Sequence, residues 1–186
     1  FAQPDNEFYY SHEAGFIRKY KVFRAISKIL KPKKIIELGT CAGSSADAYL
    51  DAVNWKVFYH GYDLWDTPAP YTENGELKKW DTFAICKDLF AARKYTNYKL
   101  NKTDTRDLRL LPSSDFVAVD AAHDYRNAYQ DLILAYTARP KYMLVDDTVG
   151  YEVRQAVEDW THVNADKVES VDYIEHINGA CIITLK

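Results

Sequence analysis

Apolar and polar positions alternate along this chain with two periods. Phe16, Tyr20, Phe23, Ile26 and Leu30 recur at helical spacing, and Lys31-Pro32 closes that helix. Residues 1–12, ahead of it, are polar and aromatic without a clear period. Ile35-Ile36 begins a strand that runs through about Leu38, and Ser44 to about Val53 reads as a crossover helix. Lys56–Tyr62 is a second strand, ending at Asp63. Trp80, Phe83, Ala84 and Phe90 suggest a helix, and Tyr98–Leu100 a short third strand followed by Asp104. Asp115–Asp120 is a fourth strand, whose apolar centre predicts burial on both faces, as parallel strands require. Tyr125, Ala128, Tyr129, Leu132 and Tyr136 form a helical stripe, and Tyr142–Val145 is a fifth strand ending at Asp146-Asp147. Val153, Ala156, Val157 and Trp160 mark a last helix.

The tail changes character. Val171–Ile174 and Cys181–Leu185 flank Asn178-Gly179, a strong hairpin dipeptide. Strands alternating with helices, then a hairpin, predict an α/β fold. It is a Rossmann-like, doubly wound, mostly parallel sheet with a C-terminal antiparallel hairpin. One connection is long: Leu64 to about Lys79, holding Trp65 and Tyr71 and running up to Trp80. Loops of that length are usually functional lids or disordered, and Trp65 or Tyr71 is the expected cover for a ligand.

The chemistry gathers at the strand ends. The first strand closes on Glu37 and enters Leu38-Gly39-Thr40-Cys41-Ala42-Gly43. A strand that stops in a glycine-bearing turn and feeds a helix is the nucleoside-binding corner of a doubly wound domain. The glycines let the backbone turn tightly and approach a ligand. The acid ahead of the turn would repel a pyrophosphate and suits a ligand with a cationic group and hydroxyls. Glu37, Asp63, Asp104, Asp120 and Asp146-Asp147 all sit at or beyond the C-terminal ends of strands, the edge where such sheets bind ligands. Asp63 is placed to accept hydrogen bonds from ribose hydroxyls, which fits NAD as well as other nucleosides. Asp104 is readable as a ligand residue or as a helix N-cap.

Asp120, Asp146 and Asp147 belong to two neighbouring strand ends. Like charges that close raise one another's pKa unless a cation sits among them. No cationic residue stands in the same motifs. An all-oxygen set favours Mg²⁺, with Mn²⁺ or Ca²⁺ as alternatives to it, over zinc. Solvated strand-end carboxylates are the plainer reading. His123, three residues past Asp120, is either a structural histidine or a general base of near-neutral pKa.

Composition narrows the partners. At 186 residues and 47% hydrophobic, the chain is long enough for a substantial core and is expected to form one domain over 1–186. The net charge of −3 gives no reason to expect nucleic acid or an anionic membrane. No apolar run approaches a membrane span. No signal peptide is visible, and a start at Phe1 without Met reads as a trimmed N-terminus. Cys41, Cys86 and Cys181 form no CxxC and read as reduced, buried small hydrophobes, which points to the cytoplasm. The expected partner is a small-molecule acceptor, and a homo-oligomer is left open.

The Glu37-x-Gly39-x-x-x-Gly43 turn resembles the first motif of class I S-adenosylmethionine-dependent methyltransferases. The ordered acids extend that resemblance from about residue 15 to the end. Asp120-Ala121-Ala122-His123, then Asp131-Leu132, then Asp146-Asp147 are similar to the cation-dependent small-molecule O-methyltransferases, among them the macrolide-sugar enzymes and the proteins labelled cephalosporin hydroxylase. Those carry glycine where Ala121 stands, so the turn geometry there is open. The resemblance implies S-adenosylmethionine bound by Glu37, Gly39, Thr40, Gly43, Ser44, Asp63, Asp104 and Asp120. It also implies Mg²⁺ or another divalent cation on Asp120, Asp146 and Asp147. Asp120 and His123 would be catalytic, and the product a methylated hydroxyl on a sugar diol or catechol-like acceptor. Other classes are an NAD(P)-dependent oxidoreductase, against which the lack of Gly-x-Gly-x-x-Gly counts, a hydroxylase, for which no 2-His-1-carboxylate set is evident, and a non-catalytic binding module.

Overall fold

The computed structural model describes residues 7–53, 57–66, 70–73, 76–79, 81–174 and 178–186, with backbone alone for 7–16, 70–73 and 76–79. Its main sheet has seven strands: β1 (Lys34–Leu38), β2 (Phe58–Asp63), β5 (Tyr98–Lys102), β6 (Phe116–Val119), β7 (Tyr142–Asp146), β8 (Val168–Ile174) and β9 (Ala180–Leu185). Their order is β5-β2-β1-β6-β7-β9-β8. The first five are parallel, and β9 runs antiparallel between β7 and β8. The order of the parallel part turns around between β1 and β6, the switch point where such sheets bind ligands.

The sheet is doubly wound because its central strands are apolar on both faces. All four residues of β6 are buried. On one face, Leu132 and Ala135 of α4 (Tyr125–Thr137) and Trp160 of α5 (Tyr151–Val163) pack against Val117, Val119 and Met143. On the other, Phe23 of α1 (Glu7–Leu30), Tyr49 of α2 (Ser44–Ala52) and Phe90 of α3 (Thr82–Ala92) pack against Ile35, Phe116 and Leu144. Each fully buried side chain of this size contributes about 1.5–3 kcal/mol.

Two expectations are corrected. Helix α1 begins at Glu7, within the stretch that shows no period, because extending an existing helix needs no new nucleus. The long connection after β2 contains a separate antiparallel pair, β3 (Pro70–Glu73) with β4 (Glu76–Lys79), rather than loop throughout. The Tyr71 side chain and Trp80 lie outside the described residues. No described helix is long and apolar enough to cross a membrane.

Candidate functional site

The turn after β1 is built from close approaches. Gly39 has φ of +90°, and a Cβ there would stand 2.0 Å from the carbonyl oxygen of Asp120. Asp120 N–H in turn donates to the Leu38 carbonyl at 2.8 Å. Only glycine lets the exits of β1 and β6 press together in this way. Gly43, at φ of +83°, is the N-cap of α2, and a Cβ there would meet Cys86 Sγ at 2.8 Å.

Asp63 ties this turn to the end of β2. Its Oδ2 accepts the Cys41 N–H at 2.8 Å and its Oδ1 accepts the Trp65 N–H at 2.8 Å. The Trp65 indole donates to the Cys41 carbonyl at 2.7 Å. Cys41 and Trp65 both have positive φ, 48° and 47°. Such backbone persists in residues other than glycine only where surrounding bonds fix it, and the carboxylate of Asp63 supplies two of them. Trp65 is therefore buried against the turn rather than free to cover a ligand, which corrects its reading as a lid residue. Cys41 is exposed, unlike buried Cys86 and Cys181, because the turn carries it outward.

A cavity of about 240 Å³ opens at the switch point, lined by Gly39, Asp63, Asp104, Arg106, Ala121 and Asn127 among others. Three residues expected to bind a cofactor are thus brought to one wall. Asp104 is also the N-cap of a short 3-10 turn: it accepts the Arg106 N–H at 2.9 Å and grips the Arg106 guanidinium. Those bonds hold its carboxyl below the usual range. The N-cap reading of Asp104 holds, and the residue also lines the cavity.

Glu37, Thr40 and Ser44 are not on that wall. Glu37 is fully buried and bonded by Tyr59 and Ser45, and burial pushes its carboxyl up to about 8. Thr40 is buried with its hydroxyl 3.2 Å from that of Tyr59. Ser44 opens α2 and bonds Tyr20. These residues shape the turn from behind.

The acidic cluster differs from its expected form. His123 Nε2 lies 3.0 Å from Asp147 Oδ2 and 3.5 Å from Asp120 Oδ1. Lys19, on α1, places its Nζ 3.6 Å from Asp120 Oδ2 and in contact with Asp146 Oδ2. Hydrogen bonds to Asp120 and then Asp147 push His123 up to about 10, so it is a cation at neutral pH rather than a base of near-neutral pKa. Burial pushes Asp147 up, but the hydrogen bond from His123 and the charge of Lys19 outweigh it and leave the carboxyl below its usual range. Burial lowers Lys19, but the charges of Asp120 and Asp146 outweigh it and the ammonium is retained. Burial and the Asp120 charge raise Asp146, against the pull of Lys19.

Asp120, His123 and Asp147 each offer one donor atom, all within 4.8 Å of one another. The set expected from the sequence had Asp146 in place of His123. Asp146 is 3% exposed and closed over by Lys19. Lys19, Arg106 and Asn127 were missed in the sequence. For Lys19 a signal existed: it sits on the apolar stripe of α1, four residues before Phe23 and seven before Ile26.

No protein-family profile and no curated protein sequence matches the chain. Solved structures do. The O-methyltransferase TomG of Streptomyces achromogenes, involved in tomaymycin synthesis and bound to S-adenosylmethionine, is 14% identical; the match covers 91% of this chain and 80% of that one, with a TM-score of 0.66. An O-methyltransferase of Bacillus cereus bound to S-adenosylhomocysteine is 14% identical over 91% and 81% of the two chains, with a TM-score of 0.65. The Podospora anserina methyltransferase PaMTH1, bound to S-adenosylhomocysteine, is 16% identical over 90% and 78%, with a TM-score of 0.62. The fold is that of the class I methyltransferases.

Proposed function

We propose that residues 1–186 form one S-adenosylmethionine-dependent transferase domain that methylates a hydroxyl of a small acceptor. The observation that carries this reading is Asp63, fixed by two backbone N–H groups on the wall of the switch-point cavity. A carboxylate has about four acceptor positions. Two are used, which leaves one on each oxygen for ribose hydroxyls. Among the described residues on that wall the cation is Arg106, which Asp104 engages, so they offer no free positive charge to a diphosphate. The described residues therefore fit a nucleoside carrying a sulfonium better than a dinucleotide. The seventh strand inserted antiparallel between β7 and β8 also departs from the dinucleotide-binding order.

When bound, S-adenosylmethionine supplies an electrophilic methyl group. The chain would do the rest by positioning and by handling one proton. Asp120 and Asp147, each with a side chain 20% exposed, can accept hydrogen bonds from adjacent hydroxyls of a diol or catechol-like acceptor. His123, 60% exposed, exchanges its proton with solvent. In its neutral form it can take the proton of the attacking hydroxyl, with the two carboxylates stabilising the resulting imidazolium. Alignment of the hydroxyl with the methyl is worth several kcal/mol by itself.

A divalent cation does not fit this arrangement. Mg²⁺ wants near-ideal octahedral oxygen coordination. Here one of the three donors is an imidazole nitrogen rather than an oxygen, and the Lys19 ammonium covers the far side of Asp120. No step is assigned to a metal.

Calorimetry with S-adenosylhomocysteine and with NADH, on the same preparation, tests the reading. Binding of the first and not the second is expected; the reverse would replace it with an oxidoreductase.

A further inference from the structure

We infer that Lys19 is the resident cation of the strand-end carboxylates, an ammonium in the place that the sequence offers to a divalent metal. The Lys19 side chain is 7% exposed. An unpaired buried ammonium is costly enough that it is rarely found. This one faces Asp120 and Asp146 directly and feels the charge of Asp147. Asp146 is as deeply enclosed as Lys19, so each requires the other: removing either leaves an uncompensated charge in the interior.

The ammonium is also held from behind. Phe23, one turn further along α1, is buried and stacks on Tyr49 with ring centroids 5.4 Å apart, and Lys19 Nζ lies 5.6 Å from the Phe23 ring. Moving the lysine out would pull at the helix that covers this face of the sheet. His123 takes the other oxygen of Asp120 and one oxygen of Asp147. A divalent ion entering the cluster would meet the Lys19 ammonium at the oxygens of two of its ligands, Asp120 and Asp146, a repulsion that the enclosed site screens weakly.

Lys19 is thus a positioning residue. It sits against Asp120 and Asp146 without supplying coordination positions, so the cluster can receive hydroxyl donors but cannot chelate them through a metal. The consequence for turnover rests on the methyl-transfer reading: the reaction would not respond to chelators. The assignment of the cation does not rest on it.

The test titrates Mn²⁺ into wild type, Lys19→Arg, Lys19→Met and the double variant Lys19→Met/Asp146→Asn, following free Mn²⁺ by electron paramagnetic resonance. S-adenosylhomocysteine calorimetry is run on the same samples. Wild type and Lys19→Arg should show no site tighter than about 1 mM, the weak end for hard cations on oxygen ligands. Lys19→Met should gain at least about tenfold in Mn²⁺ affinity, and the double variant should lose the gain, since each ligand-shell group is worth about 10–100-fold. A micromolar Mn²⁺ site in wild type overturns the inference, as does a folded Lys19→Met with no gain. If Lys19→Met does not fold, the wild-type titration decides alone: a micromolar site overturns, and none supports. Absence of S-adenosylhomocysteine binding alongside the expected Mn²⁺ results would remove the transferase reading and leave the cation assigned.

Discussion

His123 Nε2 stands 3.0 Å from Asp147 Oδ2, joining the loop after β6 to the end of β7 through one shared proton. With Asp120 on its other side at 3.5 Å, the imidazole is held charged to about pH 10. If His123 accepts the hydroxyl proton, only its neutral form is active. The value of kcat/KM should therefore rise with pH through the neutral range and level off near 10, not near the ordinary 6.5. Asp147→Asn removes one stabilising carboxylate and should move the limb to lower pH. His123→Gln should lose about 10²–10⁴-fold in rate. A wild-type limb near 6.5 would separate His123 from the proton transfer.

Asp63 should govern cofactor affinity. Asp63→Ala deletes the acceptors for ribose hydroxyls and frees the N–H groups of Cys41 and Trp65. S-adenosylhomocysteine binding should weaken by about 1–3 kcal/mol, the worth of hydrogen bonds to a charged group. Calorimetry measures it, and unchanged affinity would move the ribose elsewhere.

Gly39→Ala should be among the most damaging single substitutions in the chain. The added Cβ would sit 2.0 Å from Asp120 O, a backbone atom that cannot swing aside, at a φ of +90° that alanine disfavours. A loss of more than about 3 kcal/mol in urea denaturation is expected, from strain and overpacking together. A loss below 1 kcal/mol would mean that β1 and β6 can part without cost.

Glu37 gives the stability curve a slope. Burial raises its carboxyl from an ordinary 4.5 to about 8, so the native state prefers the protonated form. Its contribution is fully present below pH 4.5, falls as pH rises through 8 and is gone above. Relative to Glu37→Gln, which cannot ionise, wild type should lose on the order of 1–4 kcal/mol across that window. Parallel slopes for the two proteins in pH-dependent denaturation would show Glu37 to be ionised in the native state at little cost.

The sequence by itself determined the alternation of strands and helices, because burial on both faces of a parallel sheet demands the apolar runs at Ile35, Val117 and Leu144. It also determined that Gly39, Asp63 and Asp104 reach one edge, since a carboxylate at the end of a strand follows the strand wherever it goes. Local signals of this kind act over a few residues, and the chain carries them wherever it folds. What the tertiary structure decided was charge. Periodicity placed Lys19 on a helix face but could not say which carboxylates that face would meet. Asp120 and Asp146 are brought to it only by the packing of α1 across the sheet. The pairing of β6 with β7 leaves His123 between two acids, shifting it from a near-neutral base to a cation, and packing against Tyr59 of β2 hides Glu37 and Thr40 behind the turn they were expected to line. Electrostatic state depends on every neighbour within a few ångströms, and most of those neighbours are distant in sequence.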